Sequence, residues 1–322
     1  MKTTDVTLVM RSRSLPNPLG PPTLELGVLS IVTDEGIVGE TFVGTSPARP
    51  PVFLSIGCSG PAGNQCRATP RHGSIPMCPR TPRKRWRIAI KGFRHTSCTH
   101  PPTQRRVFQG EDVPLADDIA ACAAIRAAVG DDYILMLDSA WAYNYAQALT
   151  VGQAIQDLGY YWYEDPLKAD DIYGYVRLKE RLHIPIVATE VTDGGVYALP
   201  QWLLQRATDA LRGDTVIKGG ITGLMKIAHL AEAFQMNCEV HDGYNALNNA
   251  AGLNVIMAID NCEFFEIITI HAPDSYDLDH LNYGLAEPFN IDAHGNIHAP
   301  TKPGLGFDVD WDLINSSVIA RL

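Results

Sequence analysis

Apolar positions between residues 113 and 283 follow two alternating rhythms. Short apolar runs (YILMLD, YYWYE, IPIVATE, NCEVH and EFFE) alternate with longer stretches whose apolar residues recur every three or four positions. The longer stretches are LADDIAACAAIRAAVG, YAQALTVGQAIQDLG, DIYGYVRLKERL, ITGLMKIAHLAEAF and NALNNAAGLNVIMAID. The first rhythm reads as strand and the second as amphipathic helix. Repeated strand–helix alternation predicts parallel strands joined by right-handed crossovers. Gly130, Gly159 and Gly213 are read as glycines closing helices in the left-handed conformation.

The flanks have other patterns. VTLVM, LGVLSIVT and IVGETFVG, with the turn TDEG at 33–36, predict a three-stranded antiparallel meander within residues 1–45. The tail, 284–322, carries the turns DAHGN and PGLG and predicts short β structure that returns to the meander. Residues 46–112 show neither rhythm, apart from RIAIKGF (87–93), which alternates as a strand does.

Charge sharpens that boundary. Residues 46–110 contain ten Arg, two Lys and no Asp or Glu, with ten of the 22 prolines and four of the seven cysteines. This block carries +12 in a chain of net charge -10, leaving -22 elsewhere. We read 46–112 as an aberrant basic segment that interrupts the regular pattern. A shifted reading frame or faulty splice over roughly 46–100 would give this composition. A solvated disordered insert is the next reading, and a nucleic-acid-binding arm centred on RKRWR (83–87) the least favoured.

Candidate chemistry lies on the strand rhythm. Asp138, Glu164, Glu190, Asp214, His241 and Glu266 stand at or near the ends of successive short runs, with Asp214 opening DTVIK. Their gaps are 26, 26, 24, 27 and 25 residues. A βα unit repeats at about 25 residues, so the six side chains are predicted on one rim of a parallel barrel. Asp138, Glu164 and Glu190, all oxygen donors, suit a hard cation such as Mg²⁺. Asp214 beside His241 makes a general acid–base pair, and Glu266 is read as a hydrogen-bond donor to a developing oxyanion. His183 and His229 are read as structural.

The motifs LMLDSAW, WYEDPL, IPIVATE, DTVIKGGIT, EVHDG, CEFFE and the closing PGLG cover residues 131–311. Together they resemble the mandelate racemase/muconate lactonizing enzyme family of the enolase superfamily, in its mandelate racemase-like branch. The resemblance implies a (β/α)7β TIM-like barrel with an α+β capping domain. The cap's first part is expected at 1–45, the aberrant segment at 46–112 in place of cap helices and the first two barrel strands, barrel strands three to eight at 113–283, and a return to the cap at 284–322. It implies Mg²⁺ held by Asp138, Glu164 and Glu190, a His241–Asp214 catalytic dyad, and Glu266 facing the oxyanion. It also implies a small carboxylate substrate, a hydroxy acid or acid sugar, and a homo-oligomer. TSCTHPPT (96–103) resembles the end of the family's second-strand Lys-x-His-Pro-Pro motif, with Cys98 at the lysine position and His100, a substrate-binding candidate, at the histidine position. The expected reaction is Mg²⁺-dependent removal of the proton α to a carboxylate, giving a stabilised enediolate. Dehydration of an acid sugar is favoured over racemisation, because one general base is visible. The alternative is a catalytically silent member that binds Mg²⁺ and a carboxylate.

Composition fits this picture. The 322 residues are 46% hydrophobic, with a mean hydropathy of -0.05. No apolar run is long enough to span a membrane, which takes roughly 18 residues. MKTTDVTLVMRSRS lacks the apolar stretch of a signal peptide, and the expected compartment is the cytoplasm. Seven cysteines without CxxC spacing argue against a disulfide framework or zinc ribbon.

Overall fold

The computed structural model describes residues 3–14, 23–36, 38–44, 95–98, 106–107, 110–242, 245–267, 282–292, 295–316 and 318–321. Strands β1 (Thr3–Ser14), β2 (Thr23–Thr33) and β3 (Val38–Gly44) form an antiparallel meander. The tail adds β10 (Val318–Arg321) antiparallel to β1, giving the order β10-β1-β2-β3. In the TDEG turn, the Gly36 N–H donates to the Thr33 carbonyl (3.0 Å), and Gly36 has φ 74°. A side chain at that φ would be strained.

The second sheet is parallel and runs β4 (His95–Cys98), β5 (Ile134–Asp138), β6 (Trp162–Glu164), β7 (Ile186–Ala188), β8 (Ala210–Gly213) and β9 (Asn237–Val240), in that order. Helices α1 (Leu115–Val129), α2 (Tyr145–Asp157), α3 (Ile172–Lys179), α4 (Leu199–Leu204) and α5 (Gly220–Ala233) connect consecutive strands. Helix α6 (Ala246–Ala258) follows β9, and α7 (Trp311–Ser316) leads into β10. This is the α/β barrel architecture that the two rhythms predict. Strand β4 lies inside the basic block, so that block contributes a barrel strand. RIAIKGF lies outside the described residues. Among those residues, no helix is long and apolar enough to cross a membrane.

Local chemistry accounts for several boundaries. Asn144 caps α2 by accepting from the Gln147 N–H (3.0 Å), and the Gln147 side chain accepts from the Asn144 N–H (3.1 Å). Gly130 (φ 82°) and Gly159 (φ 69°) turn the chain after α1 and α2, as expected. The buried Arg126 on α1 then donates to the carbonyls of Gly130, Tyr133, Leu158 and Gly159, fastening both turns. Gly213 differs from expectation. It ends β8 and closes no helix. A Cβ there would lie 2.9 Å from Lys218 Cγ, so glycine makes room for a lysine stem folded over the strand end.

Strand periodicity splits the core into two faces. Leu135, Leu137, Tyr163, Ile186, Leu211 and Val240 pack outward against the helices. Met136, Trp162, Val187 and Ala210 point inward with Phe264 and form an apolar floor. Two residues beyond Met136, Trp162 and Ala210, on the same face, come Asp138, Glu164 and Arg212. The barrel interior therefore changes from apolar to charged within one strand repeat.

Two strand expectations are corrected. The strand before Asp214 is ALRG, and DTVIK is the turn after it. CEFFE forms no ladder strand: among the described residues, the stretch 262–267 has no regular secondary structure. Its neighbour β9 explains this. The buried Glu239 carboxylate accepts the N–H groups of Glu263 (3.1 Å) and Phe264 (3.3 Å), donors that strand pairing would require. The Cys238 N–H donates to the Asn261 carbonyl (2.7 Å), which keeps the segment beside β9.

Candidate active site

Asp138, Glu164, Glu190, Asp214 and His241 sit at a barrel strand end or just beyond it, and Glu266 joins them from the irregular stretch 262–267 beside β9. Asp138 and Glu164 end β5 and β6 and lie opposite each other in register. Glu190 follows β7 by two residues, after Thr189 at φ 90°. Asp214 and His241 directly follow β8 and β9, and the His241 N–H donates to the Gly213 carbonyl (2.9 Å). Cys98 ends β4 in register with Leu137, one step short of Asp138. His100 lies outside the described residues. His183 and His229 are exposed.

Backbone strain concentrates at these ends. Ala140 (φ 46°) and Trp141 (φ 61°) follow Asp138, Asp165 (φ 38°) follows Glu164, and Thr189 precedes Glu190. Left-handed φ is costly for any of these residues, most of all for β-branched Thr189. The fold secures Thr189 through its hydroxyl. Oγ1 donates to the Arg212 carbonyl (3.0 Å) and accepts from the Arg212 N–H (3.1 Å), tying the end of β7 to β8.

The dyad is held from both sides. Asp214 Oδ1 accepts the N–H groups of Val216 (2.7 Å) and Ile217 (2.6 Å), which leaves Oδ2 3.3 Å from His241 Nδ1. The other ring nitrogen, Nε2, lies 3.7 Å from Glu190 Oε1. Burial disfavours a charged ring, but Glu190, Glu266 and Asp214 outweigh it and lift the His241 pKa to about 10. Glu190, Asp214 and His241 offer ligand atoms all within 4.8 Å of one another. That grouping shares only Glu190 with the expected metal triad.

Arg212, which the sequence reading missed, enters the rim between the carboxylates. Its Nε pairs with Glu164 Oε1 and lies 3.8 Å from Glu190 Oε2. Its Nη2 donates to Glu266 Oε2 (2.6 Å), which also accepts the Asp242 N–H (3.2 Å). Three further buried groups were also missed: Asp165, Asp242 and Lys218. Lys218 Nζ donates to the Thr192 carbonyl (2.6 Å). Each of the three adjoins a motif residue already in view, and Arg212 stands two residues before Asp214 on one strand face. Correct placement of β8 would have revealed it.

Carboxylates outnumber cations here. Asp138, Glu164, Asp165, Glu190, Asp214, Asp242 and Glu266 face Arg212, His241 and Lys218. Burial, with the neighbouring acids, pushes the carboxyl pKa values of Glu164, Asp165, Glu190 and Asp242 upward, against the pull of Arg212 on all four and of His241 on Glu190 and Asp242. Asp165 and Asp242 each keep a buried oxygen without a hydrogen-bond partner. Surplus negative charge on oxygen donors fits a hard divalent cation.

A parallel barrel whose strand ends present clustered carboxylates and a pinned Asp–His pair defines an acid–base, carboxylate-rich barrel class. Comparison with known proteins agrees. Residues 87–313 match the model of the enolase C-terminal domain-like family, and the chain belongs to that family. Among curated relatives, D-galactarolactone cycloisomerase of Agrobacterium fabrum is 29% identical over 201 residues, 62% of this chain and 52% of the relative. Arabinonate dehydratase of Saccharolobus solfataricus is 27% identical over 200 residues, 61% of this chain and 50% of the relative. The chain thus spans about half the length of these relatives. Among solved structures, D-glucarate dehydratase from Agrobacterium tumefaciens, complexed with magnesium, matches with a TM-score of 0.74 at 24% identity, covering 99% of this chain and 100% of that one. Its likeness supports the barrel fold expected from the motifs.

Proposed function

We propose that this chain is a lyase or isomerase that removes the proton α to the carboxylate of a small hydroxy acid or acid sugar, with acid-sugar dehydration the favoured outcome. The observation that carries this reading is the His241–Asp214 pair, 3.3 Å apart, facing a surplus of buried carboxylates. The family, and relatives named as a cycloisomerase and a dehydratase, support the same reaction class.

Asp138, Glu164 and Glu190 are the residues that would hold Mg²⁺. When bound, the ion supplies the positive charge that acidifies an α-proton beside a carboxylate. Asp214, pinned by two amides, orients the imidazole through Nδ1 and supports its protonated form. Nε2 is thereby directed toward the carboxylate rim, where the neutral ring takes the α-proton and can return it to a departing hydroxyl; a bound cation would offset the acids that hold the ring protonated in the metal-free chain. One imidazole serving both transfers favours syn elimination over racemisation, which needs a group on the opposite face. Glu266 Oε2 accepts from Arg212 and from the Asp242 N–H, and in its protonated form Glu266 would donate from Oε1 to the developing oxyanion. His100 is retained as a candidate substrate contact.

The test is exchange of the α-proton with deuterated solvent, in Mg²⁺, over a panel of acid sugars. Wild type is expected to exchange. His241→Asn is expected to abolish exchange while leaving Mg²⁺ affinity intact, and Glu190→Gln to weaken Mg²⁺ binding. Loss of Mg²⁺ binding in His241→Asn would instead place the ion at the Glu190–Asp214–His241 grouping. Folded wild-type protein that binds Mg²⁺ but exchanges nothing across the panel would establish the silent alternative.

A further inference from the structure

Arg212 belongs to no motif of the ladder, yet it reaches three of the six rim residues, Glu164, Glu190 and Glu266. Strand periodicity sends it inward, between Ala210 in the floor and Asp214 at the rim. Its guanidinium joins β6, the end of β7 and the stretch 262–267 by pairing with Glu164, approaching Glu190 at 3.8 Å and donating to Glu266 at 2.6 Å. The Arg212 backbone is fixed in turn by both hydrogen bonds to Thr189 Oγ1. An ordinary surface ion pair has no such support.

Two physical facts give this placement a consequence. A guanidinium keeps its charge at any pH a protein survives, so it is a permanent cation among these acids. Buried like charges without a counter-ion are strongly unfavourable, so a rim that binds and releases a divalent ion needs something to neutralise it in between. Arg212 occupies the position that meets this need. A divalent ion bound to Glu164 and Glu190 would draw on the same oxygens and would also face a like charge.

We propose that Arg212 is a built-in counter-cation of the metal-binding carboxylates. It holds Glu164, Glu190 and Glu266 together in the metal-free protein and lowers their affinity for a divalent ion. The inference rests on the reading above that Glu164 and Glu190 hold that ion. Arg212 acts here through the carboxylates, as a positioning residue.

The experiment uses the full chain, Mn²⁺ as the probe, and two variants, Arg212→Met and Arg212→Lys. Free Mn²⁺ is followed by electron paramagnetic resonance, and thermal unfolding is recorded in EDTA and in Mn²⁺. In Arg212→Met the Mn²⁺ Kd is expected to fall about tenfold or more, as removal of a like charge at this range allows. Its melting temperature in EDTA is expected below wild type, and the gap between EDTA and Mn²⁺ wider. Arg212→Lys keeps a charge but loses the planar fork and is expected to fall between the two. Unchanged or weaker Mn²⁺ binding by folded Arg212→Met overturns the proposal. Should Arg212→Met not fold in EDTA, Arg212→Lys decides, and a wild-type Kd in it overturns the proposal. Equal binding by wild type and variant removes the role of Arg212 alone. No binding by either removes the reading of Glu164 and Glu190 as ligands, and the shared-cation role falls with it.

Discussion

Glu239 is the residue whose burial has the clearest energetic consequence outside the rim. Burial lifts its carboxyl from an ordinary 4.5 to about 7, despite hydrogen bonds from Glu263, Asn237 and Phe264 that favour the charged form. Below pH 4.5 both folded and unfolded chains hold the proton, and folding loses nothing. As pH rises from 4.5 to about 7 the unfolded chain releases its proton more readily, and stability falls. Above pH 7 the loss is complete, at about 3 kcal/mol. Glu239→Gln removes this titration. Urea unfolding at pH 5 and pH 8 should show wild type losing about 2–3 kcal/mol more than the variant between the two, the remainder of the loss lying below pH 5. Parallel losses would sink the assignment. At this scale the sequence was legible where a candidate site residue ended an apolar run, as Asp138 and Glu164 do. It was opaque for Arg212, because the apolar letters of DTVIK drew the strand past ALRG. Glu239 sits inside NCEVH between Cys238 and Val240, and no local pattern marks it as the acceptor for residues 263 and 264.

Among the elements, the ends of β7 and β8 are the critical joint. Thr189 holds a left-handed φ of 90° and passes both its hydrogen bonds to the Arg212 backbone. Thr189→Val keeps shape and branching but leaves the Arg212 N–H and carbonyl without those partners. We expect a loss of about 1–3 kcal/mol in stability by chemical denaturation, the cost of stranding buried polar groups. Weaker Mg²⁺ binding should accompany it, since Glu190 is the next residue. Thr189→Ser, which restores the hydroxyl, should recover most of both. A Thr189→Val protein as stable as wild type would show that the strand ends are held by other means. Helices α1, α2, α3, α5 and α6 and four of the six parallel strands, β5, β6, β7 and β9, could be read from the pattern, because the helices bury a periodic apolar face and the strands are short continuous apolar runs. CEFFE could not be excluded as a strand, because a side-chain carboxylate on the neighbouring strand takes its N–H groups. That interception depends on tertiary placement and leaves no local pattern.

For the whole molecule, the surplus of buried carboxylate couples ion binding to pH and stability. Glu164 and Glu190 hold protons to higher pH than ordinary carboxyls, chiefly because they are buried. An ion can use them only once those protons leave, so binding releases protons and affinity rises with pH. The same coupling gives the ion a share in folding. At a free concentration about 100 times its Kd, Mg²⁺ should stabilise the folded chain by about 2.7 kcal/mol. This gain should shrink as pH falls, because the protonated carboxyls of the metal-free state compete. Thermal unfolding with and without Mg²⁺ at pH 6 and pH 8 measures the change, and calorimetry in buffers of different ionisation enthalpy counts the released protons. The raised carboxyl pKa values require both a larger Mg²⁺ effect at pH 8 and net proton release at pH 6. A Mg²⁺ effect independent of pH, with no protons released, would mean the ion sits away from these carboxylates. It would then be bound by groups that are already ionised, and the barrel rim would lose its claim to be the metal site.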